Sequence, residues 1–323
     1  MQQTTTQSVA TSQFLEDVLQ GLLAKQKYLQ SKYFYDAAGD KLFQQIMHCE
    51  DYYPTRCELD IFKNQSIALA NFFKEKLGAF DVIELGAGDA LKSSYLLREL
   101  LDNQSEFTYM PIDISKNVID LLESTLPKKL AGLRMKGLNG QYFEMLEEAY
   151  RRSSKPKVVL FLGSNLGNML PEDARNFCTR LYAQLQPGDL LFIGLDLKKN
   201  PSTILKAYND KDGYTRQFNL NLLKRMNREL EANFDLDQFE HYPSYDPISG
   251  ACKSYLVSLA DQEVRFGSAD TTITFKANEV IFMEISQKYT VDEVRAFASG
   301  CGFKTLQEFF DRKGWFMDTV WQR

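Results

Sequence analysis

The feature that most constrains this chain is the regular alternation of strand and helix signals between Phe80 and Asp196. Phe80-Asp-Val-Ile-Glu84 is a short strand run, and Ala90 to Leu101 follows with apolar residues at helical spacing. Phe107 to Asp113 is the next strand, and Ser115 predicts the N-cap of a helix running to Pro127. Val158 to Leu162 reads as a buried strand. Pro171 opens a helix to Gln186, Pro187-Gly188 makes a turn, and Leu190 to Leu195 returns as a strand. Strands separated by helices cannot pair as tight hairpins, so this order implies a parallel, doubly wound sheet.

Beyond Asp196 the texture changes. Asn219 to Leu230 reads as a helix, then come short alternating segments at Cys252–Leu259, Val264–Phe266, Thr272–Phe275 and Ile281–Ser286. Such segments are typical of antiparallel strands. A helix over Val291–Ser299 ends at Gly300 and Gly302. Two last strands, Thr305–Phe310 and Trp315–Trp321, flank an Asp311-Arg-Lys-Gly314 hairpin turn. We therefore expect a nucleotide-binding sheet domain from residues 61–196 and 287–323, with a second, inserted α+β lobe from residues 13–60 and 197–286. Residues 1–12, rich in Gln, Thr and Ser, read as a flexible tail.

Composition excludes several partners. A net charge of −5 and a pI near 5.3 give no electrostatic reason to bind nucleic acid or an anionic membrane. The longest apolar runs are strand-length, too short to span a bilayer, and the start lacks the pattern of a signal peptide. Five cysteines without a C-x-x-C spacing read as reduced thiols of a cytoplasmic protein, and two distant histidines argue against a metal site. A monomer is expected.

Glu84-Leu-Gly-Ala-Gly-Asp89 lies between the first strand and its helix. Glycines there allow a tight turn and a close approach of ligand to backbone, and the helix start offers unpaired N–H groups. Dinucleotide-binding folds share that signal. Asp113 ends the next strand, where an acid can hold both hydroxyls of a ribose. Leu91 occupies the place of the third glycine of a dinucleotide fingerprint, and the chain closes on a β-hairpin. Both points favour S-adenosylmethionine, with a nicotinamide-dependent oxidoreductase as the alternative from another class.

Several strings then resemble the histidine Nα-methyltransferases of ergothioneine biosynthesis, over nearly the whole chain. They are Tyr33-Phe-Tyr-Asp-Ala37, Glu50-Asp-Tyr-Tyr-Pro-Thr-Arg56, Glu84-Leu-Gly86, Val159-Leu-Phe-Leu-Gly-Ser164 with Gly167-Asn168, Leu185-Gln-Pro-Gly-Asp189, Asn233-Phe-Asp-Leu-Asp237 and Glu284-Ile-Ser286. The resemblance implies a Rossmann-like class I methyltransferase sheet. It also implies methyl transfer from S-adenosylmethionine to the α-amino nitrogen of L-histidine, giving N,N,N-trimethylhistidine (hercynine).

By the same resemblance, Gly86, Lys92 and Asp113 bind the cofactor, with Gln141 and Tyr142 at its adenine. Asn168 and Tyr208 take the histidine carboxylate. Tyr52, Glu284 and Ser286 meet the imidazole, and Tyr35 and Phe43 stand beside the reacting amine. The residue types suit these tasks: neutral donors serve a carboxylate, and a glutamate with a hydroxyl can satisfy both ring nitrogens of an imidazole. Taken singly each has a plainer explanation, such as a solvated strand glutamate or a turn asparagine. The chain departs from the family at Gln141, where an aspartate is usual, and at Ser254, where some relatives carry a methionine near the substrate ring. These departures leave a second substrate open, another aromatic amino acid or amine.

Overall fold

The computed structural model describes residues 2–323, with side chains from Ser12 onward. The first half of the chain holds α1 (Gln2–Leu22), α2 (Ala37–His48), α3 (Pro54–Leu77), β1 (Ala79–Leu85), α4 (Ser93–Asp102), β2 (Glu106–Asp113), α5 (Lys116–Lys129), β3 (Leu138–Asn139), α6 (Tyr142–Arg152) and β4 (Lys157–Phe161). Then follow α7 (Pro171–Gln184), β5 (Leu190–Asp196), α8 (Pro201–Tyr208), α9 (Tyr214–Glu229), β6 (Phe239–Tyr245), β7 (Ala251–Ser258), β8 (Gln262–Phe266) and β9 (Thr271–Phe275). The chain closes through β10 (Val280–Gln287), α10 (Val291–Gly300), β11 (Lys304–Phe310) and β12 (Phe316–Gln322).

Two compact units share these elements. One holds the chain up to Tyr53 together with Lys199–Ser286; the other holds Pro54–Lys198 and Gln287–Arg323.

The second unit is built on a seven-stranded sheet in the order β11-β12-β5-β4-β1-β2-β3. Neighbours from β5 to β3 are parallel, and β12 runs antiparallel to both β5 and β11. Strands β4 and β5 are buried along their whole length, which explains their unbroken apolar runs. On one side of the sheet, Leu146, Ala174, Leu181 and Ala298 pack from helices onto Ile83, Val159 and Leu191. Strand order reverses beside β1, whose neighbours are β2 on one side and β4 on the other. In open α/β sheets a crevice forms at such a switch, outside the carboxyl ends of the strands. Gly86, Asp113 and Gly163 all lie at those ends.

The first unit has a three-stranded sheet in the order β10-β7-β6 and a β8-β9 hairpin. Phe34, Phe218, Leu222, Phe239, Phe266, Phe275, Ile281 and Met283 form its core. Strand β6 is not apparent in the sequence because Pro243 interrupts it. It is an edge strand, where the missing N–H of proline is tolerated.

Three expectations need correction. Helix α1 takes in most of the segment read as a tail, since its Gln, Ala and Leu residues are compatible with a helix. Pro54 opens α3, which packs on α4, β11 and β12, so the chain leaves the first unit after Tyr53 rather than near residue 60. Helix α4 starts at Ser93, not Ala90: Ala90 is left-handed at φ +51°, and Asp89 accepts the Leu91 N–H in a turn before the helix. No helix among the described residues is long and apolar enough to cross a membrane.

Candidate active site

At the switch point, Gly86 leaves β1 at φ +70° and donates its N–H to the carbonyl of Ile112. That conformation strains any residue with a Cβ. Space adds a second constraint, since a Cβ there would lie 2.7 Å from the Tyr142 hydroxyl. Tyr142 opens α6, and its ring meets Phe161 edge-on at 6.2 Å. Burial and then the charge of Asp113 push its phenol up, so Tyr142 keeps its proton and remains a donor. Asp113 is half-buried at the end of β2. One carboxylate oxygen accepts the Ser115 N–H at 2.8 Å, which fixes its direction, while Ser115 itself caps α5. Gln141 is exposed at the N-cap of α6, and its side chain makes no capping bond.

Lys92 occupies the N-cap position of α4, not its body as the sequence suggested. Its ammonium is ion-paired with Glu58 of α3. Burial disfavours its charge, but Glu58 outweighs burial and raises the ammonium above its ordinary value. Glu84, at the end of β1, is fully buried and accepts from the Tyr109 hydroxyl at 2.5 Å. Burial, partly offset by Tyr109 and Ser93, pushes its carboxyl up to about 7.

Beyond β4 the chain turns through Ser164, left-handed at φ +57°, into a short 3-10 turn ending at the exposed Asn168. A non-glycine residue in that region needs its surroundings to hold it. The Ser164 hydroxyl does so by accepting the Asp196 N–H at 3.1 Å. Asp196 forms a buried ion pair with Lys288 at 2.7 Å. Gly167 is required by space, because a Cβ would lie 2.8 Å from the Gln287 carbonyl oxygen.

In the other unit, Tyr35 follows a 3-10 turn and is 47% exposed. Its ring meets Phe43 at 5.5 Å and Phe218 at 5.6 Å, and Phe43 and Phe218 are 5.9 Å apart. Asp36 locks this corner by capping α2 through the Gly39 N–H and accepting from Asn221 and Arg228 of α9. Burial opposes its charge, yet Arg228 and the two N–H donors hold its carboxyl at about 2. Phe218 escaped the sequence reading because it looks like any core residue of a helix.

The same unit brings Tyr52, Tyr208 and Ser286 together. The Tyr208 hydroxyl bonds the Ser286 hydroxyl at 2.7 Å, and the Tyr52 ring stands edge-on to Tyr208 at 6.1 Å. The resemblance had divided Tyr208 and Ser286 between carboxylate and imidazole; the structure links them directly. Glu284, half-buried, precedes Ser286 by two residues on β10, so both project from one face. Beneath Tyr208 lies His241, whose ring nitrogen Nε2 is 2.9 Å from the Tyr208 carbonyl oxygen. Burial pushes that ring down, so it is neutral and donates from Nε2. Ser254 is buried on β7, the central strand of the sheet. Among the described residues, no cluster of His, Cys, Asp or Glu could hold a metal ion, and none of the five buried cysteines forms a disulfide.

The model of a family described as histidine-specific, S-adenosylmethionine-dependent methyltransferases matches residues 14–323. The chain belongs to this family. It is 34% identical to a histidine N-alpha-methyltransferase of Mycobacterium tuberculosis, over 92% of this chain and 91% of that protein. It is 30% identical to ergothioneine biosynthesis protein 1 of Neurospora crassa, over 85% of this chain but 31% of that longer protein. A tryptophan methyltransferase of Psilocybe serbica is 26% identical, over 92% of this chain and 89% of the relative. The sheet has the expected form, with an antiparallel strand β12 set between β5 and β11.

Proposed function

We propose that this methyltransferase transfers methyl groups from S-adenosylmethionine to the α-amino nitrogen of L-histidine, giving N,N,N-trimethylhistidine (hercynine). The observation that carries the substrate reading is the bond between Tyr208 and Ser286, with Glu284 on the same strand face. The Ser286 hydroxyl, held by Tyr208, and the Glu284 carboxylate can answer both nitrogens of an imidazole. A hydrocarbon ring offers them no hydrogen bond.

In this reading the unit built on the seven-stranded sheet binds the cofactor, and the other binds the substrate. The residues at the switch point fit the cofactor. Gly86 has no side chain to keep a ligand from its backbone, Asp113 keeps Oδ2 for ribose hydroxyls while Oδ1 holds the Ser115 turn, and the exposed Gln141 amide offers an acceptor to the adenine amino group. When bound, the cofactor supplies a methyl group on a positively charged sulfur. Asn168 and Tyr208 are the residues that the resemblance gives to the substrate carboxylate, and Tyr52 is the one that it gives to the imidazole. Tyr35 and Phe43 flank the amine, and their ring faces suit a quaternary ammonium that has no N–H left to donate. Positioning the amine lone pair supplies most of the acceleration, and no dedicated base is required.

The enzyme is read as a cytoplasmic monomer acting on a small substrate. Its net charge of −5 supports no nucleic-acid surface. The test is direct: incubate the protein with S-adenosylmethionine and each amino acid and read product masses. Mass gains on histidine alone support the reading, and methylation of tryptophan in its place overturns it.

A further inference from the structure

Behind Lys92 lie two carboxyl groups that the proposed reaction does not use. Glu58 of α3 is wholly buried; it pairs with Lys92 and accepts the Gly163 N–H through both oxygens, at 2.7 and 3.0 Å. Asp318 of β12 is also wholly buried, and neither of its oxygens meets an N–H or O–H donor. Its charged neighbour is the Glu58 carboxyl: Glu58 Oε1 and Asp318 Oδ1 crowd the same space beside Gly194. Room for the two comes from Gly194, which pairs with Asp318 across β5 and β12. A Cβ on Gly194 would collide with Glu58 Oε1 and lie 2.8 Å from Asp318 Oδ1.

Two carboxyl groups in contact in a dry interior cannot both be anions, and a buried oxygen without a donor is costly. One proton between them resolves both problems. It belongs on Asp318, because Glu58 already has a cation and an N–H addressed to its oxygens, the partners an anion needs. Burial, with the Glu58 charge adding to it, pushes the Asp318 carboxyl well above its ordinary range. A second buried anion would also draw the Lys92 ammonium away from an incoming carboxylate. A neutral acid satisfies Glu58 without adding that charge.

We propose that Asp318 is a neutral carboxylic acid donating its proton to Glu58, and that this acid–carboxylate pair holds the Lys92 ammonium in place for the carboxylate of S-adenosylmethionine. Both are positioning residues, and the proposal rests on the reading of Lys92 as a cofactor contact.

The infrared difference spectrum of the parent minus Asp318→Asn should carry the carbonyl stretch of a protonated carboxylic acid at neutral pH. Calorimetry should find S-adenosylmethionine about tenfold weaker in Glu58→Gln and in Asp318→Ala. Asp318→Asn should recover most of that loss, because its amide N–H can replace the acid O–H toward Glu58. Absence of the band, or an asparagine variant as weak as the alanine one, overturns the proposal. Should Asp318→Ala fail to fold, the infrared comparison still decides the proton and Glu58→Gln the affinity. Lys92→Met tests the underlying reading separately. Parental affinity there removes Lys92 from the cofactor and with it the positioning role, whatever the infrared band shows.

Discussion

The Tyr142 hydroxyl stands only 2.7 Å from where a Cβ on Gly86 would be. Two separate demands therefore meet at Gly86, a left-handed backbone and an empty side-chain position. Gly86→Ala should lose about 1–2 kcal/mol of stability from backbone strain alone, with more from the collision. Tyr142→Phe should relieve part of it. A double-mutant cycle read by thermal unfolding checks this, and strictly additive effects would show that the hydroxyl does not touch that space.

Asp113 is aimed by Ser115 and carries a second oxygen with no turn bond of its own. Asp113→Ala should weaken S-adenosylmethionine by about 1.5–3 kcal/mol, the loss expected for a charged hydrogen-bond partner. Calorimetry with unchanged affinity would remove Asp113 from the cofactor site.

Glu84 gives a prediction in pH. Its carboxyl rises from 4.5 to about 7, by burial first, with Tyr109, Ser93 and Lys92 opposing and the Glu58 charge adding to it. The folded protein thus binds this proton more tightly than the unfolded chain. Its contribution is fully present below the unfolded value and is lost as pH rises through about 7, a swing of about 3 kcal/mol. Glu84→Gln cannot lose a proton, so its stability relative to the parent should improve from about pH 5 to about pH 8. A difference that stays flat over that window would mean that Glu84 titrates like an ordinary carboxylate.

Substrate choice hinges on Glu284. Glu284→Ala should lose histidine turnover sharply while keeping its affinity for S-adenosylmethionine, because the cofactor residues lie on other elements. Tyr208→Phe removes the bond to Ser286 and should cost about 0.5–1.5 kcal/mol of stability. Its KM for histidine should rise. Should Glu284→Ala turn over histidine as the parent does, the imidazole is read elsewhere.

The sheet was legible because a buried parallel strand leaves an apolar run and a helix leaves a spaced one. β1, β2, β4 and β5 each fall within about two residues of the expected bounds. Strand β6 was not legible, since Phe239-Glu-His-Tyr-Pro-Ser-Tyr245 combines polar residues with a proline and becomes a strand by pairing with β7. At the site, Gly86 and Asp113 announced themselves by position, one in a turn and the other at a strand end. Glu58 and Asp318 did not: each is a lone acid in an otherwise ordinary helix or strand, and only folding makes them neighbours. Asp318 did leave one trace, a carboxylate within the mostly apolar run Phe316-Met-Asp-Thr-Val-Trp321.

Strand β12 has a consequence for how the protein is made. It fills the slot beside β5, a strand buried over its entire length. Until β12 arrives, β5 presents an open row of backbone donors and acceptors on apolar residues, which other chains can pair with. Pairing two segments so distant along the chain is slow, because a long loop must close first. The newly synthesised protein should thus pass through a sticky intermediate whose exposed edge is sealed last, and refolding yield should fall with rising protein concentration.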